Sequence, residues 1–272
     1  MNQILAVAGK EFFDGLRNRW LISITIVFAV LSIGLTYFGG VASGEVGVTS
    51  LSTTIASLAS LAVFLIPLIA LLLSYDSFVG EQESGTLLLL LTYPLSKTQL
   101  LLGKFIGQGG IIALATLLGF GASALILYLQ VKDLEVVRLF STFIASAVLL
   151  GLSFTAIAYV ISLTVNEKSK AAGIALLIWF FFALVFDLAL LALLVGVEQG
   201  VSQQGLTQIM MFSPSDIFRL VNLAGLDSSD VNGVLAIAIK SSLTQGQLFF
   251  VLFAWVMLPL AGANFIFMKK TL

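Results

Sequence analysis

Carboxylates, hydroxyls and glycines crowd one short polar stretch, Asp76-Ser-Phe-Val-Gly80-Glu81-Gln-Glu83-Ser84-Gly85-Thr86, which continues through Tyr93-Pro94-Leu-Ser-Lys97 to Gly103-Lys104. Glu81 and Glu83 fall near the start of a helix expected to begin after Gly80, where acidic side chains complement the positive helix end. Gly85-Thr86 is expected to break that helix. Such a cluster reads either as a solvated loop with good helix-end chemistry or as a contact surface for a soluble partner. It does not read as a hydrolytic centre. The chain has neither cysteine nor histidine, which excludes Ser-His-Asp and Cys-His catalysis, thiolate or imidazole metal sites and disulfides.

A second chemical feature is Asp187, the one formal charge inside an otherwise apolar predicted span, with no charged partner in any other predicted span. A charge near a span centre costs ~2.5–3.5 kcal/mol on insertion scales, so it must face the bundle, a water-filled vestibule or another chain. It either lines a path or outer gate or fixes packing. Phe182 and Phe186, next to Trp179, could form a hydrophobic constriction or simply pack. Met210 and Met211 are soft donors on the expected outer surface. Beside them runs a proline-initiated amphipathic stretch with Pro214, Asp216 and Arg219, a candidate contact for an outer partner. Methionine sulfur is otherwise scattered over Met1, Met257 and Met268, too sparse for a relay of soft ligands along the spans.

The elements that hold these residues are almost continuous hydrocarbon. Of 272 residues 59% are hydrophobic and 10% charged, with a mean hydropathy of +1.11; soluble domains carry far more charge. The chain reads as one all-α integral membrane domain spanning residues 1–272. A net charge of −1 argues for no nucleic-acid partner. Residues 3–19 read as an interfacial amphipathic helix: Ile4, Ala8, Phe12 and Leu16 form one stripe, opposite Gln3, Lys10, Asp14 and Arg17. Charges before the first apolar run, and the lack of a small-residue cleavage site after it, argue against a cleavable signal peptide.

Six spans are expected, over 20–38, 55–75, 105–129, 139–164, 171–195 and 248–268. Pro67 should kink the second. Gly107, Gly109, Gly110, Gly119 and Gly121 should loosen the third. Residues 76–104 form the polar segment between the second and third spans. Residues 196–247 form a long outer loop whose short apolar pieces, at 214–221 and 234–239, should lie on or dip into the outer surface. Nine of the 13 Lys and Arg residues then share a side with both termini and with Glu81. The positive-inside rule makes that side cytoplasmic, in a bacterial inner membrane.

The pattern Glu81-x-Glu83-x-Gly85-Thr86-Leu87, then Leu91-x-x-Pro94-Leu-Ser-Lys97 and Leu102-Gly103-Lys104, resembles the cytoplasmic signature of ABC-2-type exporter permeases, and the layout of helix and spans resembles theirs along nearly the whole chain. The resemblance implies the ABC-2-type permease fold, a homodimer in membrane lipid, and two cytoplasmic ABC ATPase subunits that bind the ATP and Mg. It makes Asp76, Gly80, Glu81, Glu83, Ser84, Gly85 and Thr86 the residues of a coupling helix docked on the ATPase, with Lys97 and Lys104 as topology anchors. The chain itself would bind no cofactor and catalyse nothing, in keeping with its lack of a Walker A motif.

Three stretches resemble a narrower branch of that family, permeases serving maturation of the copper enzyme nitrous oxide reductase: Ile4 to Trp20, Tyr75 to Glu81, and Ser213 to Leu220. That branch implies a periplasmic copper-binding accessory partner. The lack of soft ligands points to mechanical transmission or to a cargo other than bare copper. Other readings are an ABC-2 exporter of another small molecule or lipid, a stand-alone secondary transporter, and an intramembrane enzyme, which would need paired ionisable groups at membrane depth.

Overall fold

The computed structural model describes residues 3–17, 19–38, 51–196, 203–224 and 243–271. Residues 39–50 of the loop expected at 39–54, the apolar piece at 234–239 and Met1 lie outside them. Among the described residues all regular structure is helical.

Helix α1 (Gln3–Arg17) is amphipathic as its four-residue stripe requires. It turns by 64° into α2 (Trp20–Phe38), with Arg19 at a left-handed φ of 59° in the turn. Next come α3 (Leu51–Ser74), α4 (Val79–Glu83), α5 (Thr86–Thr92), α6 (Lys97–Val131), α7 (Leu134–Thr164) and α8 (Lys168–Phe180). A π-helical turn, Phe181–Val185, leads into α9 (Phe186–Gly196), followed by α10 (Gln203–Met210), α11 (Pro214–Leu223) and α12 (Gln245–Lys269). Five helical stretches are long and apolar enough to cross a bilayer, and the bent α1–α2 pair supplies up to a sixth.

Lipid tails are as apolar as leucine, so close packing and interhelical hydrogen bonds hold such a bundle together. The glycines expected to loosen α6 do the opposite. A Cβ on Gly103 would lie 2.5 Å from the Val7 side chain, and one on Gly107 would lie 2.7 Å from the Ala8 carbonyl oxygen. Gly110 faces the Phe12 ring and Gly119 faces Phe28. Spaced four, three and nine apart, these positions let α1 and α2 lie directly on α6.

Helix α7 is the centre of the molecule: 61% of its apolar window is buried, against 17% for α8–α9 and 22% for α12. Its own Phe140, Phe143 and Phe154 share one core with Phe120 of α6 and Phe218 of α11. α3 runs unbroken through Pro67, and beside that turn the Trp179 indole donates to the Phe64 carbonyl at 2.8 Å.

Several helices begin or end away from the expected bounds. α6 starts at Lys97 and thereby carries Lys104 into a long helix. Its capping box, Ser96 with Gln99, satisfies the first free N–H groups and permits that early start. α11 departs most. It was expected on, or dipping into, the outer surface, and Pro214 to Phe218 and Leu220 to Leu223 are all buried. Its apolar residues enter the core, and two of its polar groups are satisfied there: Asn222 donates to Ser146 Oγ at 2.9 Å, and Ser213 caps the Asp216 N–H. α11 is a wedge against α3, α7 and α12.

Candidate functional site

The polar stretch folds as α4, a left-handed Gly85 (φ 74°) and α5. α4 has no capping side chain of its own, since its N-cap is Phe78. The cap comes from another helix: the Phe78 and Val79 N–H groups both donate to Ser162 Oγ of α7, each at 3.0 Å. Below this start, Gln108 donates to Ser77 at 2.7 Å, and the Tyr159 hydroxyl donates to Gln108 at 3.0 Å. The segment is therefore pinned to α6 and α7 through buried polar contacts, which are costly to break once desolvated.

Lys104 lies beneath α4, only 2% exposed. Its ammonium is 2.8 Å from Glu11 of α1 and 2.7 Å from Glu81 of α4, with the Phe78 ring 5.9 Å away. Two carboxylates compensate one ammonium, the condition under which a buried cation is tolerated. Asp76 pairs with Lys168 at 2.8 Å, and Glu83 accepts the Lys168 backbone N–H at 2.6 Å, at the positive start of α8. The Ser84 and Thr86 hydroxyls bond each other at 2.8 Å, and the one that does not donate to the other donates to the Glu81 carbonyl oxygen.

The structure thus brings Asp76, Gly80, Glu81, Glu83, Ser84, Gly85 and Thr86 into one element and divides them. Glu83 to Thr86 form an exposed tip. Asp76, Gly80 and Glu81 face a polar cleft of about 430 Å³ that also meets Lys10, Asp14 and Lys104. Lys104 is the residue that sequence reasoning undervalued. It is a buried strut, and its partner Glu11 is too remote in sequence for spacing to reveal. Lys97, the other expected anchor, donates to the Lys270 carbonyl oxygen at 2.7 Å. Lys270 in turn donates to the Leu163 carbonyl at 3.0 Å, and burial pushes its ammonium below the usual lysine range.

On the opposite face, Asp187 does have a charged partner. One Arg219 nitrogen lies 2.7 and 2.8 Å from its two carboxylate oxygens and 3.2 Å from Asp216 Oδ1. The partner was missed because it comes from the short wedge α11 rather than from a span. Burial pushes Asp216 up to about 6, against the pull of Arg219. Met210, Pro214 and Asp216 were expected to meet an outer partner. They are instead buried within this chain, because α11 sinks into the bundle. Phe212, 70% exposed, is the outward-facing residue there. Phe182 packs edge-on against Phe154 and Trp255 and near Phe186, an aromatic cluster at the π-helical turn.

Residues 5–272 match the ABC-2 family transporter protein family. A probable ABC transporter permease protein NosY of Stutzerimonas stutzeri is 52% identical, and one of Pseudomonas aeruginosa is 50% identical, each comparison covering 99% of both chains. With its membrane-length helices and the pinned polar tip between α3 and α6, this chain belongs to the ABC-2 family of transporter proteins and is an ABC transporter permease.

Proposed function

We propose that this permease couples ATP hydrolysis on a separate cytoplasmic ATPase to a movement of its outer face, in assembly of the copper sites of nitrous oxide reductase. The observation that carries the coupling role is the α4–Gly85–α5 tip. It projects Glu83 to Thr86 into solvent while Ser162, Lys104 and Lys168 tie its base to α7, α6 and α8. A rigid base with an exposed tip turns a push on the tip into displacement of several helices at once.

The working unit is a homodimer with two ATPase subunits, in the inner membrane with both termini cytoplasmic. Support for a dimer comes from α8, where Leu177 is 67% exposed. Support for the copper-site role is the half-identity to the two NosY permeases. A periplasmic copper-binding partner would then meet the outer face near Met211 and Phe212, with Arg219 behind them. The scarcity of soft ligands along the spans favours mechanical transmission over passage of bare copper.

Co-purification from the native gene neighbourhood tests this reading. A stoichiometric ATPase is expected with the wild-type chain, and its loss or uncoupling with Glu81→Ala/Glu83→Ala. Glu81 also holds Lys104, so Ser84→Trp at the exposed tip separates docking from folding. Recovery of the chain alone under gentle extraction would sink the proposal.

A further inference from the structure

Between α9, α10 and α11 lies a cavity of about 290 Å³. Leu188, Leu190, Leu191 and Met210 wall it, and Asp187, Asp216 and Arg219 close its polar end. We propose that this cavity is a binding site for a small amphipathic cation, a primary ammonium carrying a short aliphatic tail. The proposal concerns the outer half of this chain and stands independently of ATPase coupling.

The argument begins with an unmet hydrogen bond. Asp216 is 1% exposed. One of its oxygens accepts from Arg219, while the other, Oδ2, is buried with no hydrogen-bond partner among the described residues. A buried oxygen left bare is costly and calls for a donor, and Asp216 lines the cavity into which a donor could come.

Charge selects the donor. One guanidinium stands between two carboxylates, so the triad carries one negative charge in excess when all three groups are ionised. An ammonium neutralises it; a carboxylate or phosphate would add to the excess. Asp187 lies nine residues before Gly196, ~13 Å at 1.5 Å per residue, so this imbalance is set in the outer half of the bilayer, where charge interactions are little screened.

The walls select the rest of the ligand. Three leucines and a thioether offer nothing to a polyhydroxylated body but suit an alkyl chain. A cavity of about 290 Å³ falls at the lower end of small-molecule sites, so the tail is short. Leu188 and Leu191 are 63% and 51% exposed and form a mouth at the bundle surface through which the tail can enter.

The test uses the full chain in phosphatidylcholine nanodiscs without ATPase, with n-hexylammonium, 1-hexanol and hexanoate as probes and saturation-transfer NMR as readout. Saturable hexylammonium binding is expected, with hexanol and hexanoate weaker. Asp216→Asn should weaken it by about tenfold, the loss of one charge-assisted hydrogen bond. Leu191→Phe narrows the cavity at a half-exposed position and should weaken it too, which keeps the test decisive if Asp216→Asn does not fold. Equal binding of hexylammonium and hexanol would reduce the effect to partitioning and overturn the proposal. So would unchanged binding in both variants. So would hexylammonium failing to bind at any pH, which would leave a proton shared by Asp187 and Asp216 as the answer to the bare oxygen.

Discussion

Lys104 of α6 holds Glu11 of α1 at 2.8 Å and, with the same nitrogen, Glu81 of α4 at 2.7 Å. One buried ammonium therefore joins the N-terminal helix α1 to the α4 segment that carries the exposed tip. Lys104→Met leaves two partly buried carboxylates facing each other without a cation. Breaking a buried pair from one side costs ~3–5 kcal/mol. A clear fall in melting temperature is expected in detergent, largely restored when Glu11→Gln and Glu81→Gln are added. A triple variant no more stable than Lys104→Met would mean the cation is not what matters.

Ser162 caps a helix to which it does not belong. Ser162→Ala removes the acceptor for the Phe78 and Val79 N–H groups, a loss of about 1 kcal/mol by comparison with other N-caps. Hydrogen exchange of residues 78–84 should rise while the rest of α7 stays protected. ATPase stimulation should fall further than global stability does. Unchanged exchange at the tip would show that α4 keeps its start without this cap.

The seam between α1 and α6 depends on having no side chain at Gly103 and Gly107. Gly107→Val would place methyl groups onto the Ala8 carbonyl and Glu11; overpacking of this kind costs roughly 1–3 kcal/mol. α1 is expected to lift away and break the Glu11–Lys104 pair. Amide hydrogen exchange along α1 should rise in this variant relative to the parent, and unchanged exchange there would show that the seam tolerates the side chain. By contrast, Gly121→Ala meets open space and should be neutral.

Stability should depend on pH through Asp216. Its pKa rises from 3.8 to about 6 on folding, through burial. A raised carboxyl binds its proton more tightly in the folded chain, so its contribution is full below about pH 4 and is lost as pH climbs through about 6. At 1.36 kcal/mol per unit, a rise of about two units is worth roughly 3 kcal/mol. The charged groups facing it are Arg219 and Asp187; Ser213 is the neutral cap. Thermal unfolding should shift downward between pH 4.5 and 7 in the parent. The slope should flatten in Asp216→Asn, and a slope unchanged by that substitution would assign the dependence elsewhere.

Composition alone made this a helical membrane chain, because 59% hydrophobic residues with 10% charge leave no soluble alternative. The stripe from Ile4 to Leu16 disclosed α1 for a local reason: a helical period of 3.6 is written in neighbouring residues. The exposed tip, Glu83 to Thr86, was equally legible, since glycine and acidic residues between apolar runs favour water. What depended on distance in sequence was not legible. The glycines of α6 looked like weak points because their cost to a helix is intrinsic, whereas their use as a seam requires α1 to lie across them.

The sequence by itself determined that the long apolar segments are helical and where the polar tip falls, since hydropathy, period and turn residues act over a few positions. The tertiary structure decided the pairings. It put Glu11 and Glu81 on Lys104, Ser162 under α4, and Arg219 on Asp187. It also sank α11 into the bundle, burying the Met210, Pro214 and Asp216 that a surface helix would have shown. A charge inside a membrane bundle must be matched by whatever the fold brings near, and nearness across helices is a property of packing that no stretch of sequence carries alone.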